Sequence, residues 1–192
     1  MKKARVPALA LCLLLAPFAA YASDKSDAEA LMNTCEASSR SAAVPVRNFG
    51  GKDLIASLEN GLALIKQGKV KLLQSKYLDA KAKFEEYQKL EGELYAALAP
   101  KYLERAQAII DKAAEDLVDF AAKPEVSKAL SESDRSVGEA KIYQDAKKYL
   151  AVVQACRVAK NQALSAYAAA KVEMPADCKR DQADASGKIF LE

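Results

Sequence analysis

Apolar residues recur at steps of three and four along most of this chain, and no stretch shows the strict alternation of a strand, so the pattern predicts an all-α protein. Ile55, Leu58, Leu62, Ile65 and Leu72 place a helix over 54–73, with Asp53 able to cap it. Ser75 opens a second helix through Tyr77, Ala80, Phe84, Tyr87, Leu94 and Leu98, ending before Pro100. Pro100 then suits the first turn of a third helix over 100–122, whose stripe Leu103, Ala106, Ile110, Ala113, Leu117 and Phe120 is unbroken. Pro124 and Ser131, Ser133 and Ser136 mark a weak region with a short helix over 125–130. Ser136 and Glu139 have the form of a capping box for a last helix to about Lys171, carrying Ile142, Ala146, Tyr149, Val153, Cys156, Ala163 and Tyr167. The expected architecture is an antiparallel helical bundle or a short stack of helical hairpins over 53–172. An irregular leader over 23–52, with a short helix across Asp27–Ala37, precedes it, and a tail over 173–192 follows.

The first 22 residues have a different pattern. Lys2, Lys3 and Arg5 precede an apolar stretch from Ala8 to Phe18, and Ala20-Tyr21-Ala22 forms a small-residue cleavage site before Ser23. This reads as a signal peptide over 1–22, too short to span a bilayer, which takes about 20 apolar residues. No later segment is apolar enough to span either, so the expected location is periplasmic or secreted.

Cleavage changes the charge balance. The chain holds 29 Lys and Arg against 26 Asp and Glu, and the three basic residues of the signal account for the whole excess. A neutral mature chain lacks the field that nucleic acid or anionic lipid would require, so neither is an expected partner. The remaining cysteines, Cys35, Cys156 and Cys178, allow at most one internal bridge. A Cys156–Cys178 bridge would ask seven residues to retrace about 22 Å of helix. Cys35 with Cys178 is the better pairing, tying the two irregular ends together, and three free thiols are the alternative.

The tripeptide Lys-Tyr-Leu occurs at Lys76, Lys101 and Lys148, each near a predicted helix start or turn. Around the first copy, Gly68, Tyr77, Ala80, Phe84 and Tyr87 resemble the tetratricopeptide helical hairpin, in which small and aromatic residues interlock two helices. Ala140, Tyr149, Val152, Cys156 and Ala159 follow the same order more loosely. The spacings of 25 and 47 residues, Leu64 in place of the usual tryptophan, and the lack of a closing proline after Tyr87 depart from that family. The resemblance implies antiparallel hairpins with a concave face for a partner peptide or protein.

Chemistry is sparse. With no histidine, the commonest general base and metal ligand is missing, and no nucleophile elbow or phosphate-binding loop is present. Glu115, Asp116 and Asp119 fall within one helical turn and could share a cation, but Lys112 and Lys123 nearby make a solvated, ion-paired face the simpler account. No cofactor, no metal and no enzymatic activity are expected. Tyr77, Tyr87, Tyr149 and Tyr167 lie on core stripes, whereas Tyr95, Tyr102 and Tyr143 fall beside them and are the candidate partner-binding residues. The expected function is a non-catalytic exported protein that binds another envelope or extracellular protein or braces an assembly. The alternative is a bundle with an apolar pocket for lipid or a small hydrophobic ligand.

Overall fold

The computed structural model describes the backbone over residues 9–191 and side chains from Ser23 onward, so most of the signal-peptide reading over 1–22 lies outside the described residues. The described chain is all-α, without a strand. Its helices are α1 (Leu9–Pro45), α2 (Gly51–Leu73), α3 (Tyr77–Asp116), α4 (Pro124–Asp145), α5 (Tyr149–Ala170) and α6 (Lys179–Ala185). Among the described residues, no helix is long and apolar enough to cross a membrane.

The leader, expected to be irregular apart from a short helix across Asp27–Ala37, is helical throughout. Its buried residues Ala28, Cys35, Ser39, Ala42 and Val46 keep a helical stripe, but they are too small to stand out as an apolar pattern. A π-helical turn over Val46–Gly50 follows α1, and Gly51 with φ +73° supplies the left-handed residue that separates it from the body of α2.

The two helices expected on either side of Pro100 are one helix of 40 residues. Interior proline costs roughly 3 kcal/mol. Here Leu98, Ala99, Tyr102 and Ala106 are all buried on the two sides of an exposed Pro100, so continuous burial of that face outweighs one lost hydrogen bond. The helix also stops earlier than expected, at Asp116, and a 3₁₀ turn over Val118–Phe120 follows.

The serine-rich segment is not a weak region. α4 starts with Pro124 in its first turn and runs through Ser136 to Asp145, so Ser136 is interior and does not cap the next helix. Ser133 Oγ donates to the Ala159 carbonyl at 2.8 Å, and Ser136 Oγ lies 2.9 Å from Gln162 Oε1. These small hydroxyls form the seam with α5. The chain turns at Ala146–Lys148, leaving Ile142, expected on the core stripe, 66% exposed.

Four helices end in the same way. Beyond α2, α4, α5 and α6, the residues Ser75, Lys147, Lys171 and Gly187 take φ of 59°, 56°, 61° and 76°. In each case the next amide reaches back to a carbonyl in the last turn: Lys76 to Lys71, Lys148 to Tyr143, Val172 to Tyr167 and Lys188 to Ala183, at 2.8 to 3.0 Å. This is the Schellman closure, which satisfies carbonyls a helix end would leave bare.

The chain divides into two compact units instead of one helical domain over 53–172. The first comprises Met1–Ala37 and Leu62–Gln88, the second Ser38–Gly61 and Lys89–Glu192. The first has a small core of Ala28, Cys35, Ile65, Ala80, Phe84 and Tyr87. Phe84 packs on Gly68 so closely that a Cβ there would come within 3.0 Å of three ring carbons. Lys69 pairs with Glu36, and Cys35 Sγ donates to the Phe84 carbonyl at 3.6 Å. The larger core of the second unit draws Leu94, Leu98, Tyr102, Ile109 and Leu117 from α3, Val126 and Val137 from α4, and Val152, Cys156 and Tyr167 from α5.

Candidate functional site

The predicted stripe of α5 has a gap between Cys156 and Ala163, and the residue that fills it is Lys160. A lysine four residues beyond one core position and three before the next faces inward, and Lys160 is 0% exposed. An uncompensated ammonium there would carry a large desolvation cost. Two aspartates of α6 compensate it. Asp181 and Asp184 lie three residues apart, on one face of the helix, and both are buried.

Lys160 Nζ donates to Asp181 Oδ1 at 3.1 Å and to Asp184 Oδ2 at 2.9 Å. The rings of Phe49 and Tyr102 lie 4.1 and 4.6 Å from the same nitrogen and pack edge to face at 5.2 Å. From α3, Tyr102 donates its hydroxyl to Asp184 Oδ1 at 2.7 Å, and Arg105 donates twice to Asp181 Oδ2, at 2.8 and 3.0 Å. Arg105 also donates to the Asp177 carbonyl at 3.1 Å and has the Asp177 carboxylate at 3.9 Å. Arg157 of α5 donates to the Asp184 carbonyl at 2.5 and 3.1 Å. Asn48 donates to Asp184 and to the Lys188 carbonyl, and accepts the Phe190 amide.

Burial and the Asp184 carboxylate push the Tyr102 hydroxyl far above its ordinary pKa, so it remains a donor at any physiological pH. The hydrogen bonds that Arg105 donates to Asp181 raise the Arg105 pKa further. Burial pushes the Cys156 thiol up to about 12 and raises Cys178 as well, leaving both as protonated thiols rather than reactive thiolates. Every charged group of the cluster is engaged, and its evident work is to hold α6 and the tail in place.

Two solvent-open cavities adjoin the cluster. One, of about 650 Å³, is lined by Arg47, Lys52 and Arg180 with Phe49, Ile55, Phe190 and Leu191 among its walls. The other, of about 450 Å³, reaches Arg105 and Asp181 beside Phe49, Arg180 and Phe190.

The residues expected to form a partner surface are placed differently. Tyr95 and Tyr102 are buried in the core, so neither is available as a surface anchor, and Tyr143 is half-buried. Both lie on faces of α3 that are covered by other parts of the second unit. Cys35 and Cys178 form no disulfide: both are buried, Cys35 in the core of the first unit and Cys178 in that of the second. Of Glu115, Asp116 and Asp119, the last of which lies in the 3₁₀ turn beyond α3, Asp116 accepts the Tyr167 hydroxyl at 2.7 Å and has Lys112 at 3.7 Å. Among the described residues no group of three or more Cys, Asp or Glu gathers as a metal site.

The cluster was only partly visible in the sequence. A lysine on the inner stripe and an Asp-x-x-Asp pair in the tail were its signals, but nothing in their spacing joins them. No family model matches this chain, and no curated protein or solved structure matches it at a significant level.

Proposed function

We propose that this chain is a non-catalytic, exported helical protein of the cell envelope that binds another envelope or extracellular protein through the open groove of the second unit. The groove carries this reading. Arg47 and Lys52 line it together with Arg180, while Phe49, Ile55, Phe190 and Leu191 supply apolar wall. Cationic side chains beside aromatic and aliphatic surface suit an acidic, partly apolar protein segment. The signal sequence supports export. The close fit of Gly68 with Phe84 supports the hairpin resemblance, and with it a scaffold for protein binding.

The test is a photo-crosslinking residue at Lys52, compared with one at exposed Asp134 or Gln154, in cells that export the full chain. A discrete adduct from Lys52 alone, lost in Arg47→Glu with Lys52 crosslinked, is the expected result. Adducts to lipid, or equal labelling from all positions, would overturn it. N-terminal sequencing of the exported protein should begin at Ser23, and a chain retaining Met1 would contradict export by cleavage.

A further inference from the structure

The buried cluster has a one-way chemistry. All of its cationic groups and nearly all of its donors belong to the bundle: Lys160 and Arg157 on α5, Arg105 and Tyr102 on α3, and Asn48 after α1. The acceptors facing them belong to one short segment, namely the carboxylates of Asp181 and Asp184 and the carbonyls of Asp177, Asp184 and Lys188. That segment comprises a 3₁₀ turn over Ala176–Cys178, the seven-residue α6 and the residues after it, and it is joined to α5 through non-helical residues 172–175, so it can leave without unwinding α5.

We infer that the cleft beneath α6 is a binding site for a helical peptide bearing two aspartates one turn apart, and that the chain's own Asp181–Asp184 segment occupies it as an internal ligand. This goes beyond the proposed protein-binding groove, three of whose lining residues, Arg180, Phe190 and Leu191, are supplied by α6 and the tail themselves. A cleft holding Lys160, Arg105 and Arg157 requires an anionic occupant, because emptying it would leave three cations beside aromatic rings without counter-charge. The occupant is therefore exchanged for an equivalent and not simply lost. Exchange has an entry point. Arg105 is 33% exposed and Arg157 23%, whereas Lys160 is 0% exposed, and the 450 Å³ cavity opens onto Arg105 and Asp181. An incoming carboxylate meets the rim arginines first and the lysine last. The two aspartates are matched to Lys160 and their separate arginines, which gives the site its spacing.

The test uses the full chain with a specific protease site replacing Glu173 and Met174, cut after folding so that both pieces remain present. A fluorescent peptide of residues 176–191 is added, and its anisotropy is followed. The expected result is saturable exchange with the resident fragment, and competition by unlabelled peptide that is weakened at least about tenfold by Asp181→Asn with Asp184→Asn. Binding to the uncut chain should be weaker still, because the tethered segment competes at high effective concentration. A resident fragment that never exchanges, an asparagine peptide that binds equally well, or a helical signal that collapses on cutting and is not restored by the peptide would each overturn the inference. All three readouts need only this chain, so the inference can fail while the crosslinked partner stands, and the reverse.

Discussion

The α2–α3 and α4–α5 hairpins turn corners of the same construction and then diverge. Ser75 and Lys147 hold matching left-handed φ values, and each is followed by Lys-Tyr-Leu with the tyrosine half-buried and the leucine exposed. Three, seven and ten residues beyond the tyrosine, both helices bury their side chains: Ala80, Phe84 and Tyr87 in one, Val152, Cys156 and Ala159 in the other. Nine residues before it stand Gly68 and Ala140. The large Phe84 ring requires a glycine opposite, whereas the second hairpin, with Cys156 at the matching position, tolerates a buried Ala140 methyl. One residue later the resemblance ends. Gln88 is exposed, and the equivalent Lys160 is fully buried against α6. Turn and interlock are properties of the hairpin, but the fate of the eleventh residue after the tyrosine is set by what covers it.

The largest expected effect lies where the hairpins differ most. Lys160→Met leaves two buried aspartates with fewer counter-charges and should lower stability by about 3–5 kcal/mol, whereas Gln88→Met should stay within about 0.5 kcal/mol. Urea unfolding of both variants checks this. Equal effects would mean that the ion cluster contributes nothing special. Adding Asp181→Asn and Asp184→Asn to Lys160→Met should recover part of the loss, because the uncompensated charges are removed with their partner.

The interlock comes next. Gly68→Ala should cost about 1–3 kcal/mol by forcing Phe84 aside. In a Phe84→Leu background the same change should be near neutral, since alanine is the better helix former by about 1 kcal/mol. A double-mutant cycle with no coupling between these positions would break the proposed equivalence of the two hairpins.

Within the cluster, Tyr102→Phe should cost about 1–2 kcal/mol, because Asp184 loses its hydroxyl donor inside the core. Thermal unfolding is sufficient to detect it. A surface role for Tyr102 predicts no change in stability, so the measurement also separates the observed burial from the sequence-based expectation.

The smallest effect tests what the hairpins share. Ser75→Gly and Lys147→Gly should each stabilise the protein by about 0.5–1 kcal/mol, because glycine takes the left-handed closing conformation without a Cβ penalty. A gain at one turn and a loss at the other would show that the two corners are not equivalent.

Helical class, the apolar stripe of α3 beyond Pro100 and the corner between α2 and α3 could be read from residue spacing, because buried positions three and four apart are a local property of the chain, whereas the turn at Ala146–Lys148 falls inside what the spacing predicts as a single helix. Small residues hid the rest. Ala28, Cys35 and Ala42 carry too little apolar surface to mark the full length of α1, and Ser133 and Ser136 imitate a turn while forming a helix seam. Pro100 was decided by tertiary burial on both of its sides, which local propensity does not contain. The ion cluster depended most on the three-dimensional fold. Lys160 lies 21 and 24 residues before its aspartates, and Asn48 lies 136 before Asp184. Sequence spacing encodes which face of a helix a charge occupies, but only the folded chain determines which opposite charge covers that face, because the desolvation that makes the pairing obligatory exists only once the core has closed.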